Sequence, residues 1–417
     1  VGTAFAAPVA DRIAESTMMD LVRTGRPDEA VRTLELLERA GRDPGGALRD
    51  WVAVWYPERT GPPVARGGRR GFDVLRDLLA TGARGPAVRG AEEVLGTCPM
   101  EGDALESLTA ALAALVYADR ADLAARWSQP LLEQTTAHCD PVWLGLFAAV
   151  RGETLLRQGD PAAAAECVRT ALSHIPWQDW GVAIGIPLGT MIAAKTALGM
   201  TECVIRYLAV PIPEAVFQTP AGLHYRAARA EFRRTSGNVE QALADYRECG
   251  ALMRRWNIDL PGLVAWRIGA GEALLALGRP AEAAALAREH LELVGSAPSR
   301  TRGLALRLLA LSGPAEQRNR LLEEASAVLR ETGDPREVDH TGRETTAAPP
   351  TPPARALLSD AEYKVAELAA RGLSNRQISS RLYITVSTVE QHLTRIYRKL
   401  GATRRNQLPE FLETVPR

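Results

Sequence analysis

Ser387, Thr388, Glu390, Gln391, Thr394, Arg395, Arg398 and Lys399 crowd one short stretch near the end of a 417-residue chain. Their chemistry suits a polyanion that also carries information. Amide and hydroxyl groups can bond to base edges in a major groove, while guanidinium and ammonium groups can neutralise phosphates. Glu390 is the odd member, since a carboxylate accepts from a cytosine amino group but repels phosphate. A charged helix face is often only a solvated face. Here Val389, Leu393, Ile396 and Leu400 recur at i, i+4, i+7 and i+11 and supply an opposite, core-facing stripe. His392 reads as a packed residue rather than a contact.

Elements must hold such a helix in place, and the flanking sequence punctuates them. Ser359-Asp360-Ala361-Glu362 reads as a capping box, in which the serine takes the N3 amide and the glutamate reaches back. That helix runs to about Arg371 and stops at Gly372. Ser374-Asn375-Arg376-Gln377 is a second box, opening a helix that ends near Leu382. Tyr383-Ile384 makes the turn, Thr385 or Ser387 caps the third helix, and Gly401 ends it. Val365, Leu368, Ile378 and Leu382 should meet its apolar stripe. A fourth helix is expected from near Thr403 to about Leu412, with Leu408, Phe411 and Leu412 as a small apolar stripe. Phe411 is its candidate for contact with a second copy of the chain. Charge agrees: residues 354–417 carry 11 Lys/Arg against 6 Asp/Glu, leaving 39 and 44 for the rest of a chain that is neutral overall.

Other chemistries find little footing. The three lysines are Lys195, Lys364 and Lys399, and none follows a glycine as a phosphate-binding loop requires. Gly181, Gly185 and Gly189 recur every fourth residue, which suits close helix packing. Cys98, Cys139, Cys167, Cys203 and Cys249 stand singly, in neither a disulfide framework nor a zinc pattern. His138 and Cys139 are adjacent, and adjacent residues rarely face one ion. No catalytic, cofactor-binding or metal-ligating set emerges, so an enzyme is not expected. No uninterrupted run of 18 apolar residues suggests a membrane span. The apolar stretch Ala4 to Ala10 lacks a basic lead and runs into Asp11 and Arg12, so no signal peptide is read and a cytoplasmic location is expected.

Residues 1–335 read as stacked helical hairpins. Gly159-Asp160-Pro161-Ala162 and Gly278-Arg279-Pro280-Ala281 each end one helix and begin another. Weaker copies start at Gly199, Gly237 and Gly313, with Asp119 in the glycine place of another and Gly25-Arg26-Pro27 standing apart. Starts at 119, 159, 199, 237, 278 and 313 give a period near 40 residues, the size of one helix pair in an α-solenoid of TPR-like repeats. Residues 59–71, rich in Gly, Pro and Arg, read as a mobile solvated loop. The Pro-rich stretch over 336–353 reads as an extended linker, leaving 354–417 as a separate terminal domain. The fold class expected is all-α, a helical-repeat solenoid followed by a small four-helix domain.

Taken together, Leu358-Ser359-x-x-Glu362, Gly372-Leu373-Ser374-Asn375-Arg376-Gln377-Ile378, and Val386-Ser387-Thr388-Val389-Glu390-Gln391-His392-Leu393 through Arg398-Lys399-Leu400-Gly401 resemble the LuxR-type helix-turn-helix domain. The wording over 382–394 is most similar to the large ATP-binding LuxR regulators of actinomycetes. That resemblance implies a transcriptional regulator, with Glu390, Gln391 and Thr394 where base-reading residues usually lie. It also implies an activator with promoter DNA and RNA polymerase as partners and a homodimer on DNA. The helical repeats would sense a small-molecule or protein effector. The family's ATPase module has no phosphate loop here, so it is expected either upstream of Val1 or lost. The competing reading is a helical-repeat scaffold whose terminal domain no longer binds DNA; Arg395, Arg398 and Lys399 argue against it.

Overall fold

The computed structural model describes residues 16–41, 47–101, 104–138, 140–346, 358–400, 402 and 404–408. The apolar stretch from Ala4 to Ala10, Cys139, the prolines of the expected linker, and Phe411 with Leu412 lie outside them. The chain divides into two units, Val1–Thr346 and Ala347–Arg417. Among the described residues every regular element is helical.

In the first unit, α1 (residues 16–23), α2 (Pro27–Arg39), α3 (Ala47–Trp55) and the single turn α4 (Pro57–Thr60) lead into an array of pairs. These are α5 (Gly71–Thr81) with α6 (Arg84–Thr97), α7 (Ala104–Tyr117) with α8 (Ala121–His138), and α9 (Pro141–Arg157) with α10 (Pro161–His174). They continue as α11 (Gly185–Ala197) with α12 (Thr201–Leu208), α13 (Pro220–Thr235) with α14 (Val239–Arg255), and α15 (Trp266–Ala276) with α16 (Pro280–Val294). The last are α17 (Arg300–Ser312), α18 (Ala315–Glu331) and α19 (Pro335–Thr346). First helices of successive pairs also pack on each other, from α9 through α11, α13 and α15 to α17, and so form an inner layer. Gly185 and Gly189 make this possible: a Cβ there would meet the Ala221 carbonyl oxygen at 2.3 Å and the His224 backbone at 2.8 Å.

The expected turns fall between paired helices, and their backbone shows why glycine recurs. Gly25, Gly159, Gly199, Gly237 and Gly278 all take left-handed φ between 71° and 84°, where a side chain is strained. Gly313 differs, with φ −93°, and Pro314 turns the chain instead. Asp119 adopts φ 63° without being glycine. Its buried carboxylate accepts from Thr301 N at 2.8 Å and Thr301 Oγ1 at 2.9 Å. The strain is therefore tied to a bond across 182 residues of chain. Nearby, a Cβ on Gly262 would lie 2.0 Å from the Tyr117 carbonyl oxygen, and a Cβ on Gly159 2.5 Å from Asp334 Oδ1. The end of the array thus returns onto its earlier pairs.

Two expectations need correction. The segment 336–346 is not linker but most of α19, which packs on α18. Gly333-Asp334-Pro335 repeats the Gly159-Asp160-Pro161 signal: Gly333 is left-handed, Asp334 accepts from Glu337 N at 3.1 Å, and Pro335 opens the helix. The loop around Arg66 to Arg70 is exposed but pinned. Asp77 accepts from Arg66 N at 3.1 Å and Gly67 N at 2.9 Å, and buried Arg76 donates to the Gly67 carbonyl at 2.8 Å.

Asp119 offers a direct check. Asp119→Ala should lower the stability of the first unit by about 2–4 kcal/mol, combining a lost charge-assisted pair of bonds with left-handed strain. Asp119→Gly should recover about 1 kcal/mol of that, because only the strain is relieved. Denaturant titration of both variants separates the two parts.

Candidate nucleic-acid interface

The second unit places three helices, α20 (Asp360–Ala370), α21 (Asn375–Leu382) and α22 (Val386–Leu400). Both serine boxes form as read. Ser359 Oγ accepts from Glu362 N at 3.3 Å while Glu362 Oε2 accepts from Ser359 N at 2.8 Å. Ser374 and Gln377 do the same at 3.4 and 2.8 Å. Tyr383 takes the left-handed turn with φ 56°, and Ser379 Oγ donates to the Ile384 carbonyl at 2.6 Å to hold it. Between the two candidates for the third cap, the structure selects Thr385, whose Oγ1 accepts from Thr388 N at 3.1 Å.

The stripe Val389, Leu393, Ile396 and Leu400 is buried together with Val365, Leu368 and Ile378. α22 packs on both α20 and α21. At 3.6 residues per turn, Ser387, Gln391, Thr394 and Arg398 lie opposite that stripe, and all four are exposed. Glu390 and Arg395 flank them and are exposed too. Among the described residues, the side chains of Gln391, Arg395 and Arg398 have no hydrogen bond or ion pair. Their donors and acceptors are available to another molecule, and the buried stripe behind them fixes the helix that presents them.

Two candidates leave this face. Thr388 is half-buried, and its Oγ1 sits 2.8 Å from Thr385 Oγ1 inside the helix cap. Lys399 lies about a quarter-turn away, with Nζ 2.6 Å from Glu362 Oε2. The Lys399 ammonium and the Ser359 amide hold the Glu362 carboxyl down at about 2. Lys399 therefore ties the C-terminal end of α22 to the first turn of α20. Leu408, of the expected apolar stripe, is fully buried in the domain core. Of the expected fourth helix, a 3-10 turn at Arg405–Gln407 falls in the described residues. Arg405 locks it to the second cap by donating to Asn375 Oδ1 at 2.7 Å and to the Leu373 carbonyl.

Sequence reasoning overlooked three groups near this face. Arg376 and Arg381 project exposed from α21, and Tyr383 is 95% exposed in the turn before α22. The helix before a reader crosses the DNA backbone in this motif, so cations on α21 were a legible signal.

Lys399→Met should weaken the domain by about 1 kcal/mol, a value discounted for the exposed ammonium. The expected readout is faster amide exchange across Asp360–Ala370 with an unchanged salt dependence of DNA affinity. The depressed Glu362 carboxyl gives the sign with pH. Its stabilisation is complete above about 4.5 and is lost as pH falls towards about 2, and in the variant this contribution should be smaller and its loss complete at a higher pH.

Residues 356–411 match the family described as bacterial regulatory proteins, luxR family. The HTH-type transcriptional regulators Mb0914c of Mycobacterium bovis and Rv0890c of Mycobacterium tuberculosis are each 45% identical over 51 residues, 12% of this chain and 6% of theirs. The oxygen regulatory protein NreC of Staphylococcus aureus is 38% identical over 55 residues, 13% of this chain and 25% of its own. The chain thus spans 6% of the length of the mycobacterial relatives and a quarter of NreC. The terminal unit, with its two serine boxes, left-handed turn and the exposed polar face of α22, is a LuxR-family helix-turn-helix domain.

Proposed function

We propose that the protein is a sequence-specific DNA-binding transcriptional regulator. One observation carries this reading: Gln391, Arg395 and Arg398 stand exposed and unpartnered on a helix whose opposite face is buried. In this reading Gln391 and Thr394, with Glu390, contact base edges, and Arg395 and Arg398 contact phosphates. Arg376, on the preceding helix, adds a backbone contact. The protein acts in the cytoplasm as an activator that contacts RNA polymerase, without catalysis or cofactor. Its helical array binds the effector or protein partner that controls it. The similarity to proteins named as transcriptional regulators supports the first part of this reading. No helix among the described residues is long and apolar enough to cross a membrane.

The test is a selection of duplexes bound by the full chain, followed by two variants. Gln391→Ala should change base preference at one position by about 1–3 kcal/mol. Arg398→Ala should weaken all sequences alike and flatten the salt slope by about one unit. Matching selectivity profiles for the two would overturn the separation of reading from positioning.

A single reader helix covers too few base pairs to select a promoter among roughly 10⁶–10⁹ competing sites. The protein therefore binds as a homodimer on two half-sites. A duplex with both half-sites, about one helical turn apart, should hold the full chain far more tightly than one with a single half-site. Equal affinity would remove the dimer.

A further inference from the structure

The inner layer of the helical array borders a solvent-open pocket of about 630 Å³, within the range of small-molecule sites. Small residues line it, among them Ala193 and Ala197 on α11 and Ala227 and Ala228 on α13. Its walls are not apolar. A belt of ion pairs crosses four inner helices, from Glu231 to Arg234 at 2.6 Å, to Glu272 at 3.5 Å, to Arg307 at 2.6 Å and to Glu337 at 2.7 Å. Beside it, Arg157 bonds to Glu153 at 2.8 Å, and Thr190 donates to the same carboxylate at 2.8 Å. Burial would raise the Glu153 carboxyl, but Arg157, His224 and Thr190 outweigh it and hold it at about 2. His224, buried against Tyr117 at 3.0 Å, is held down at about 4 by burial.

The walls have two ends of opposite character. Inside, Glu153, Glu231, Glu272 and Glu337 face Arg157, Arg234 and Arg307, leaving one carboxylate in excess. Arg300 is matched by Asp334 at 2.7 Å. The exposed rim also carries Asp339, Arg343 and His340, the last 3.9 Å from Glu337; there Arg336 donates to the Ala197 carbonyl at 3.2 Å and makes no ion pair among the described residues. Thr196, which also lines the pocket, has its Oγ1 buried without a hydrogen bond. An apolar ligand would strip water from these charges without replacing it, which costs free energy. A polyphosphate would meet four interior carboxylates. A molecule with an ammonium at one end and a carboxylate at the other complements both ends.

We infer that this cavity is a binding site for a small zwitterion, an amino-acid derivative or short peptide with free termini, its ammonium among the interior glutamates and its carboxylate on Arg336. This deepens the effector reading above and rests on it only for the regulatory consequence. The same belt links α13, α15, α17 and α19, so a ligand ammonium competing for its carboxylates acts on four helices at once.

The probes are an equimolar pool of tripeptides with free termini, the same pool N-acetylated, the same pool C-amidated, and raffinose as an uncharged, hydroxyl-rich control. Saturation-transfer NMR on the full chain, at about 1 mM total ligand, should show members of the free pool alone. For the strongest of them, Arg336→Ala should weaken binding about two- to fivefold, the size of one exposed ion pair. Arg336 is exposed, so the variant should keep the parent's thermal midpoint. Thr196→Val, which replaces the unpartnered hydroxyl by a methyl group, should also weaken binding while leaving the fold intact. Binding of the blocked pools as well as the free one, binding of raffinose alone, or no binding at all overturns the proposal. A mobility-shift assay with the selected duplex is run in parallel. Loss of DNA binding by the unmodified chain would overturn the proposed function and leave this site standing.

Discussion

The first unit depends on one backbone constraint. A pair of amphipathic helices cannot bury both stripes by itself, so the chain must reverse sharply and often enough for each pair to lean on its neighbours. The reversal is a single left-handed residue followed by a helix start. Glycine meets that condition without strain at positions from Gly25 to Gly333, and Asp119 meets it by using its carboxylate elsewhere. The inner layer, its cavity and the ion belt exist only because these turns put alternate helices on the same side.

This constraint also decides what could be read from the sequence. The period near 40 residues, the helix pairs and the packing role of Gly185 and Gly189 were all legible, because turn residues and small residues announce themselves locally. α19 was missed although Gly333-Asp334-Pro335 carries the same signal as Gly159-Asp160-Pro161. The polar composition after it and the nearby prolines outweighed the turn. The ion belt was not legible: Glu231, Arg234, Glu272, Arg307 and Glu337 are spread over more than a hundred residues and meet only through the curl of the array. The pinned loop near Arg66 failed for a similar reason, since Asp77 reaches back from the next helix.

In the terminal domain the reading went further, because its elements are short and their caps are written in adjacent residues. The face opposite Val389, Leu393, Ile396 and Leu400 could be drawn from helical spacing alone. Position on a helix does not reveal a distant partner, however. Lys399 looked like one more cation for phosphate until Glu362, 37 residues earlier, claimed it. One glutamate thus serves the first cap and ties the C-terminal end of α22 to the first turn of α20.

The bond between Asp119 and Thr301 bears on how the chain comes to its native state. Repeat arrays usually grow by local contacts, each pair settling on the one before it as synthesis proceeds. A closure spanning 182 residues is of the opposite kind, with a large loop-closure entropy that must be overcome late. While a nascent chain emerges, Asp119 would sit strained and without its partner until the start of α17 has cleared the ribosome. The early pairs are then held by their own stripes alone, and the cavity has no far wall. Folding of this unit should therefore combine a gradual, vectorial phase with a cooperative final step.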